Sequence, residues 1–189
     1  MSDARFFPTG RERWLWSLAG LYVGLIYGSA YFVRFAAARL RDEGVLTPVV
    51  AGVGTAAVVG AVTWWSQQGI DPRELLLLVP AGALYLALWT HLERVEERIH
   101  LVEYGILGLL LHEALVLHRR GSPDRGWRHP ALGAVILVAA LGWLDEGIQH
   151  LLPNRYYDLR DVALNAVAGI LAVGLVAARR RFLEAPPLP

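Results

Sequence analysis

The chain contains no cysteine, no lysine and a single methionine. Without cysteine there is no disulfide, no thiolate metal site and no cysteine nucleophile, and the absence alone does not reveal a redox compartment. Because lysine is missing, all 18 basic residues are arginine. They come in small groups, and no run is basic enough to grip a nucleic acid. Charge is scarce altogether: 19% of residues are charged and the formal net charge is +1.

Charge is also absent in blocks. None occurs from Trp14 to Val33 or from Gly44 to Ile70. Each run exceeds the roughly 18 apolar residues that mark a membrane-spanning candidate. A water-soluble core helix would carry a polar stripe at helical period, and these runs carry little of one. The first run is about 20 residues long, more than the roughly 7–15 of a signal-peptide core, which predicts a retained helix.

The expected architecture is an all-α, polytopic transmembrane bundle over 1–189 as a single membrane domain, with five to six spans. The spans are placed at 14–34, 47–67, 74–92, 99–118, 130–152 and 159–178. Thr47-Pro48 reads as a capped start, with proline in the first turn. Pro80 is expected to bend the third span. Asp158 is expected to cap the sixth, with Pro153-Asn154 as the break before it and the tail from Glu184 loose. Most of the seven tryptophans fall near span ends, as an aromatic belt would. His112 and Glu113 are expected to snorkel toward their interface, and His118, Arg119 and Arg120 to form an ordinary flank.

With the N-terminus inside, cytoplasmic segments hold eleven of the arginines and the opposite side seven. The positive-inside rule then predicts both termini in the cytoplasm. No internal repeat is evident, which disfavours a transporter built from inverted repeats.

The polar residues that break the apolar pattern cluster around the last two spans. Asp145 and Gln149 are four apart, as are Glu146 and His150, so they share faces at the end of the fifth span. Asp158, Asp161 and Asn165 form one stripe at the start of the sixth. His100, Glu103 and Tyr104 lie at the same depth on the fourth. Three helix ends can therefore converge on one pocket, with the Arg155 turn closing over it. Arg155 suits the carboxylates or an anionic ligand, because guanidinium binds carboxylate and phosphate bidentately. Asn165 is suited to hydrogen-bonding a helix neighbour. Ionisable groups at such depth are functional candidates by default. The competing reading is a structural polar network that locks the last two helices.

The string Glu146-x-x-Gln149, then Arg155-x-x-Asp158-x-x-Asp161-x-x-x-Asn165-x-x-x-Gly169 resembles the signature of VanZ-like membrane proteins. Asp145 before it, and His100-x-x-x-Tyr104 followed by Gly108, resemble further parts of the pattern. The resemblance covers 93–178. It implies a multi-pass protein of the bacterial inner membrane, related to one associated with low-level teicoplanin resistance, and implies no particular reaction.

The expected function is a site for a lipid headgroup or a lipid-linked cell-envelope precursor near the outer face. Glu146 and Asp161 are the acid–base candidates; His100, Glu103, Tyr104, Asp145, Gln149, Arg155, Asp158 and Asn165 are the ligand-binding candidates. No metal motif of diagnostic spacing is present and no cofactor is assigned, although a divalent cation on Glu103, Glu146, Asp158 and Asp161 would suit hard oxygen ligands. The alternative is a non-catalytic subunit or scaffold docking on a partner membrane protein. For that role, small residues such as Gly52, Gly54 and Gly60 on the second span would permit close packing.

Overall fold

The computed structural model describes residues 9–67, 69, 71, 74–92, 94–122, 127–152 and 157–184. Among them are six α-helices: α1 Gly10–Asp42, α2 Leu46–Ser66, α3 Leu75–His91, α4 Val95–Gly121, α5 Pro130–His150 and α6 Leu159–Glu184. Four helices hold segments long and apolar enough to cross a membrane: Leu46–Thr63, Glu97–Gly121, Pro130–His150 and Leu159–Arg181. A fifth is α1, if its two parts are one span. Gly10–Ala30 and Phe35–Asp42 meet at 59°, just past a Gly28-Ser29 pair whose serine hydroxyl donates to Ile26 O at 3.1 Å. Such pairs and such back-bonding are known causes of helix bends. At 17 residues, α3 is about 25 Å long at the usual rise, short of a roughly 30 Å hydrocarbon layer.

Six predicted segments thus became six helices, with ends that differ. α1 runs on past residue 34 to Asp42, through alanines, arginines and leucine that all favour helix. It stops at Gly44, whose φ of +72° suits only glycine well. α4 starts at Val95, not near 99, so most of the connection expected at 93–98 is its first coil, where Glu97 accepts from the Arg94 backbone N–H. α6 continues to Glu184. The α2 cap is Val45, with no side-chain bond, and Thr47-Pro48 lies inside the first turn instead. The expected Asp158 cap is present: its carboxylate accepts from the Arg160 N–H at 2.9 Å.

α4 is the central helix. Leu101, Tyr104, Leu107, Leu111 and Leu115 are buried on it, among Ala134 and Val138 of α5, Ala168 and Val173 of α6 and Ala19 of α1. Glycines set how closely α4 and α5 approach α6. A Cβ on Gly108 would stand 3.3 Å from the Gly169 Cα, and one on Gly142 only 2.6 Å from the Asn165 Cβ. In lipid, where burying apolar surface gains little, such close packing is what holds helices together.

The ion pairs fix relative direction. Glu12 at the start of α1 meets His118 at the end of α4, at 2.7 Å. Glu74, just before α3, meets Arg179 near the end of α6, also at 2.7 Å. Both described ends of the chain therefore lie at one end of the bundle. The starts of α4 and α6 and the end of α5 lie at the other.

Candidate functional site

α5 carries Asp145 and Glu146 side by side, about 100° apart around the helix axis. They are 0% and 1% exposed, which places two carboxylates wholly inside the bundle. Their different headings give them different neighbours. Asp145 turns toward α4 and accepts from the Tyr104 hydroxyl at 2.9 Å. Tyr27 of α1 and Glu103 of α4 lie within electrostatic reach of it. Glu146 turns toward α6, and its carboxylate accepts from the Asp158 N–H at 3.4 Å.

On the Glu146 side, potential ligand atoms converge among the described residues. His100 of α4, Glu146 of α5 and Asp161 of α6 each present one, all within 4.8 Å of one another. His100 and Glu146 are buried and Asp161 is half-buried. The His100 ring also lies 6.0 Å from that of Tyr104, which ties this trio to the Asp145 group through one turn of α4.

Two amides border the carboxylates. Gln149, one turn beyond Asp145 and Glu146, is 2% exposed, and its carbonyl oxygen has no partner among the described residues. Asn165, one turn beyond Asp161, is 0% exposed, and neither its oxygen nor its nitrogen has one. The hydrogen bond expected from Asn165 to a helix neighbour is therefore missing among the described residues. Its Cβ is packed where a side chain at Gly142 would be. Buried polar atoms left without partners are uncommon and invite an explanation such as a ligand.

Of the sequence candidates, His100, Glu146 and Asp161 form one group, and Tyr104 and Asp145, with Glu103 nearby, form a second beside it. Asp158 sits at the rim, capping α6 and pairing with Arg94 at 3.5 Å. Arg155, with Pro153 and Asn154, lies outside the described residues, as does the tail 185–189.

The opposite end holds a second set of buried charges that sequence reasoning missed. Glu74 accepts from Arg179 at 2.7 Å and from the Trp65 indole at 2.6 Å. Arg179 lies 4.7 Å over the Trp65 ring. Burial raises the Glu74 pKa, but these bonds and the Asp71 backbone N–H outweigh it and hold the carboxyl below its ordinary value. Glu12, fully buried, holds His118, and Arg180 pairs with Glu113. His118, expected as ordinary flank, and Glu113, expected to snorkel, are thus inter-helix ties, as is Trp65. Nothing in the local sequence pairs Glu74 with a residue more than a hundred positions away.

The sequence pattern of one known family matches residues 21–180, described as VanZ/LLP1. The chain belongs to the VanZ/LLP1 family. The match begins in α1, well before the 93–178 region that carries the recognisable motifs, so the first helices are part of the family architecture. With its apolar helices, membership makes this a multi-pass membrane protein. Comparison with curated proteins and with solved structures returns no match.

Proposed function

We propose that this VanZ/LLP1 protein binds the headgroup of an anionic lipid, or of a lipid-linked envelope precursor, between the ends of α4, α5 and α6. The observation that carries this reading is the buried set Asp145, Glu146, Gln149 and Asn165, whose amides lack partners among the described residues. A purely structural lock would have its donors and acceptors satisfied by one another. Here capacity is left over for a guest with hydroxyl, amide or phosphate groups. The arginine bias supports cytoplasmic termini. Since both described chain ends lie opposite this site, the site then faces the outer leaflet.

Arg155 adjoins the site in sequence and supplies the fixed positive charge such a headgroup needs. Glu146 and Asp161 are the groups able to exchange a proton with it. The test is native mass spectrometry of the full chain released from mild detergent, with a panel of phospholipids and polyprenyl phosphates. One anionic lipid should be retained per chain, and Arg155→Ala should lose it while still folding. If Arg155→Ala fails to fold, the polar groups form a structural lock and the proposal is withdrawn.

The docking alternative also has a specific support. Most of α2 is exposed, and Gly52 and Gly60 face open space, whereas Gly54 is already covered by Trp89 of α3. Purification with a stoichiometric partner bound across α2 would favour it.

A further inference from the structure

The convergence of His100, Glu146 and Asp161 goes beyond a polar pocket. We infer that these three residues form a binding site for one first-row divalent cation, of the Mn²⁺ or Zn²⁺ kind, and that the cation anchors the headgroup phosphate. The second part rests on the headgroup reading above; the first does not.

Geometry is the primary argument. Cation–ligand bonds to imidazole nitrogen and carboxylate oxygen are roughly 2.0–2.2 Å, so two ligands of one ion lie at most about 4.4 Å apart. The three atoms here are within 4.8 Å of one another. Small side-chain rotations would complete the shell. The three ligands come from three different helices, so the site exists only in the folded bundle, and the ion would tie α4, α5 and α6 together.

Charge is the second argument. Two carboxylates this close, one of them 1% exposed, repel each other when both are ionised. A divalent ion offsets both charges at once. The third argument is the unpartnered amide set. Asn165 follows Asp161 by one turn on the α6 stripe, and its Cβ lies 2.6 Å from where a Cβ added to Gly142, one turn from Glu146 on α5, would stand. It is thus seated between the two carboxylate-bearing faces, fully buried and with both polar atoms open among the described residues. Such a group suits a water or headgroup oxygen already held by the ion.

The donor set selects the metal class. Imidazole favours zinc and iron over magnesium or calcium, whereas carboxylates suit manganese. The chain has no thiolate to offer. Three protein ligands leave positions open, the arrangement found where a metal takes a further small ligand. The cation set expected from sequence shared only Glu146 and Asp161 with this one. Asp158 is engaged in capping and with Arg94, and Glu103 lies on the Asp145 side.

The test uses the full chain in detergent, stripped with chelator and then titrated with Mn²⁺ alone. One Mn²⁺ should bind per chain, and its spin-echo spectrum should show coupling to an imidazole nitrogen. That coupling should vanish in His100→Gln. Asp161→Asn and Glu146→Gln should weaken Mn²⁺ by more than the roughly 10–100-fold that loss of an outer-shell partner costs. Glu113→Gln, a carboxylate at the other end of α4, should leave affinity unchanged. Absence of saturable Mn²⁺ or Zn²⁺ binding overturns the site, as does equal affinity in the three ligand variants. If a variant misfolds, the wild-type nitrogen coupling still decides. Lipid retention is scored separately on the same samples. Headgroup retained equally with and without metal removes the anchoring role and leaves the headgroup reading. Metal bound with no lipid retained leaves the cation site and removes the headgroup reading.

Discussion

Asp145 and Glu146 show how one residue's step around a helix separates two environments. Asp145 has a tyrosine hydroxyl for company, and Glu146 faces a histidine and a second carboxylate. Removing the hydroxyl in Tyr104→Phe leaves a buried carboxylate oxygen without its donor. The variant should lose about 1–3 kcal/mol, read as a lower melting temperature in detergent. At the other end, Glu74→Gln removes the carboxylate that Arg179 and the Trp65 indole share, a loss of about 1–3 kcal/mol. Its pH dependence has a definite sign. A carboxyl held below its ordinary 4.5 contributes stability that is fully present above that value and is lost as pH falls through its folded pKa. Wild type should therefore show an acid-side loss of stability that Glu74→Gln lacks; parallel pH–stability curves would contradict this. At this scale Glu146, Asp161 and His100 were legible as unusual polar residues at one depth. Their sorting into two groups was not, because it depends on helix rotation, which a short polar string does not determine.

Helix packing rests on glycines that admit no side chain. Gly142→Ala would push a methyl to 2.6 Å from the Asn165 Cβ, an overpacking that costs typically about 1–3 kcal/mol. Gly147→Ala, on the same helix with open space around it, should instead gain about 0.5–1 kcal/mol from helix propensity. Paired melting curves check both, and equal shifts would show that α5 does not approach α6 as described. The apolar runs made the helices readable, since lipid demands long uncharged segments. Their ends were less readable. The lipid signal stops at the interface, while 35–42, 95–98 and 179–184 continue as helix through propensity and ion pairing.

Across the whole molecule, ion pairs at one end and the polar site at the other give the bundle two distinct poles. The absence of native cysteine makes sidedness directly measurable. With cytoplasmic termini, Tyr157→Cys in intact cells should react with a membrane-impermeant maleimide, and Ser122→Cys should react only after permeabilisation. The reverse pattern would move the site to the inner leaflet. The alternating direction of the helices was inferable from six runs with short connections. The long-range ties that hold the poles, Glu74 to Arg179 and Glu12 to His118, were not, because no local pattern links residues so far apart.

A ligand site and a structural lock differ most plainly in the stability of the empty protein. If Glu146 serves a guest, its carboxylate near the end of α5, where the helix dipole disfavours negative charge, is not needed to hold the empty bundle together. The decisive measurement is the melting temperature of chelator-stripped, delipidated Glu146→Gln against wild type. The variant should melt at the same temperature or higher, and should lose the stabilisation that added lipid gives wild type. A fall of several degrees in the empty variant would mean that Glu146 holds the helices together, contradicting the binding-site account.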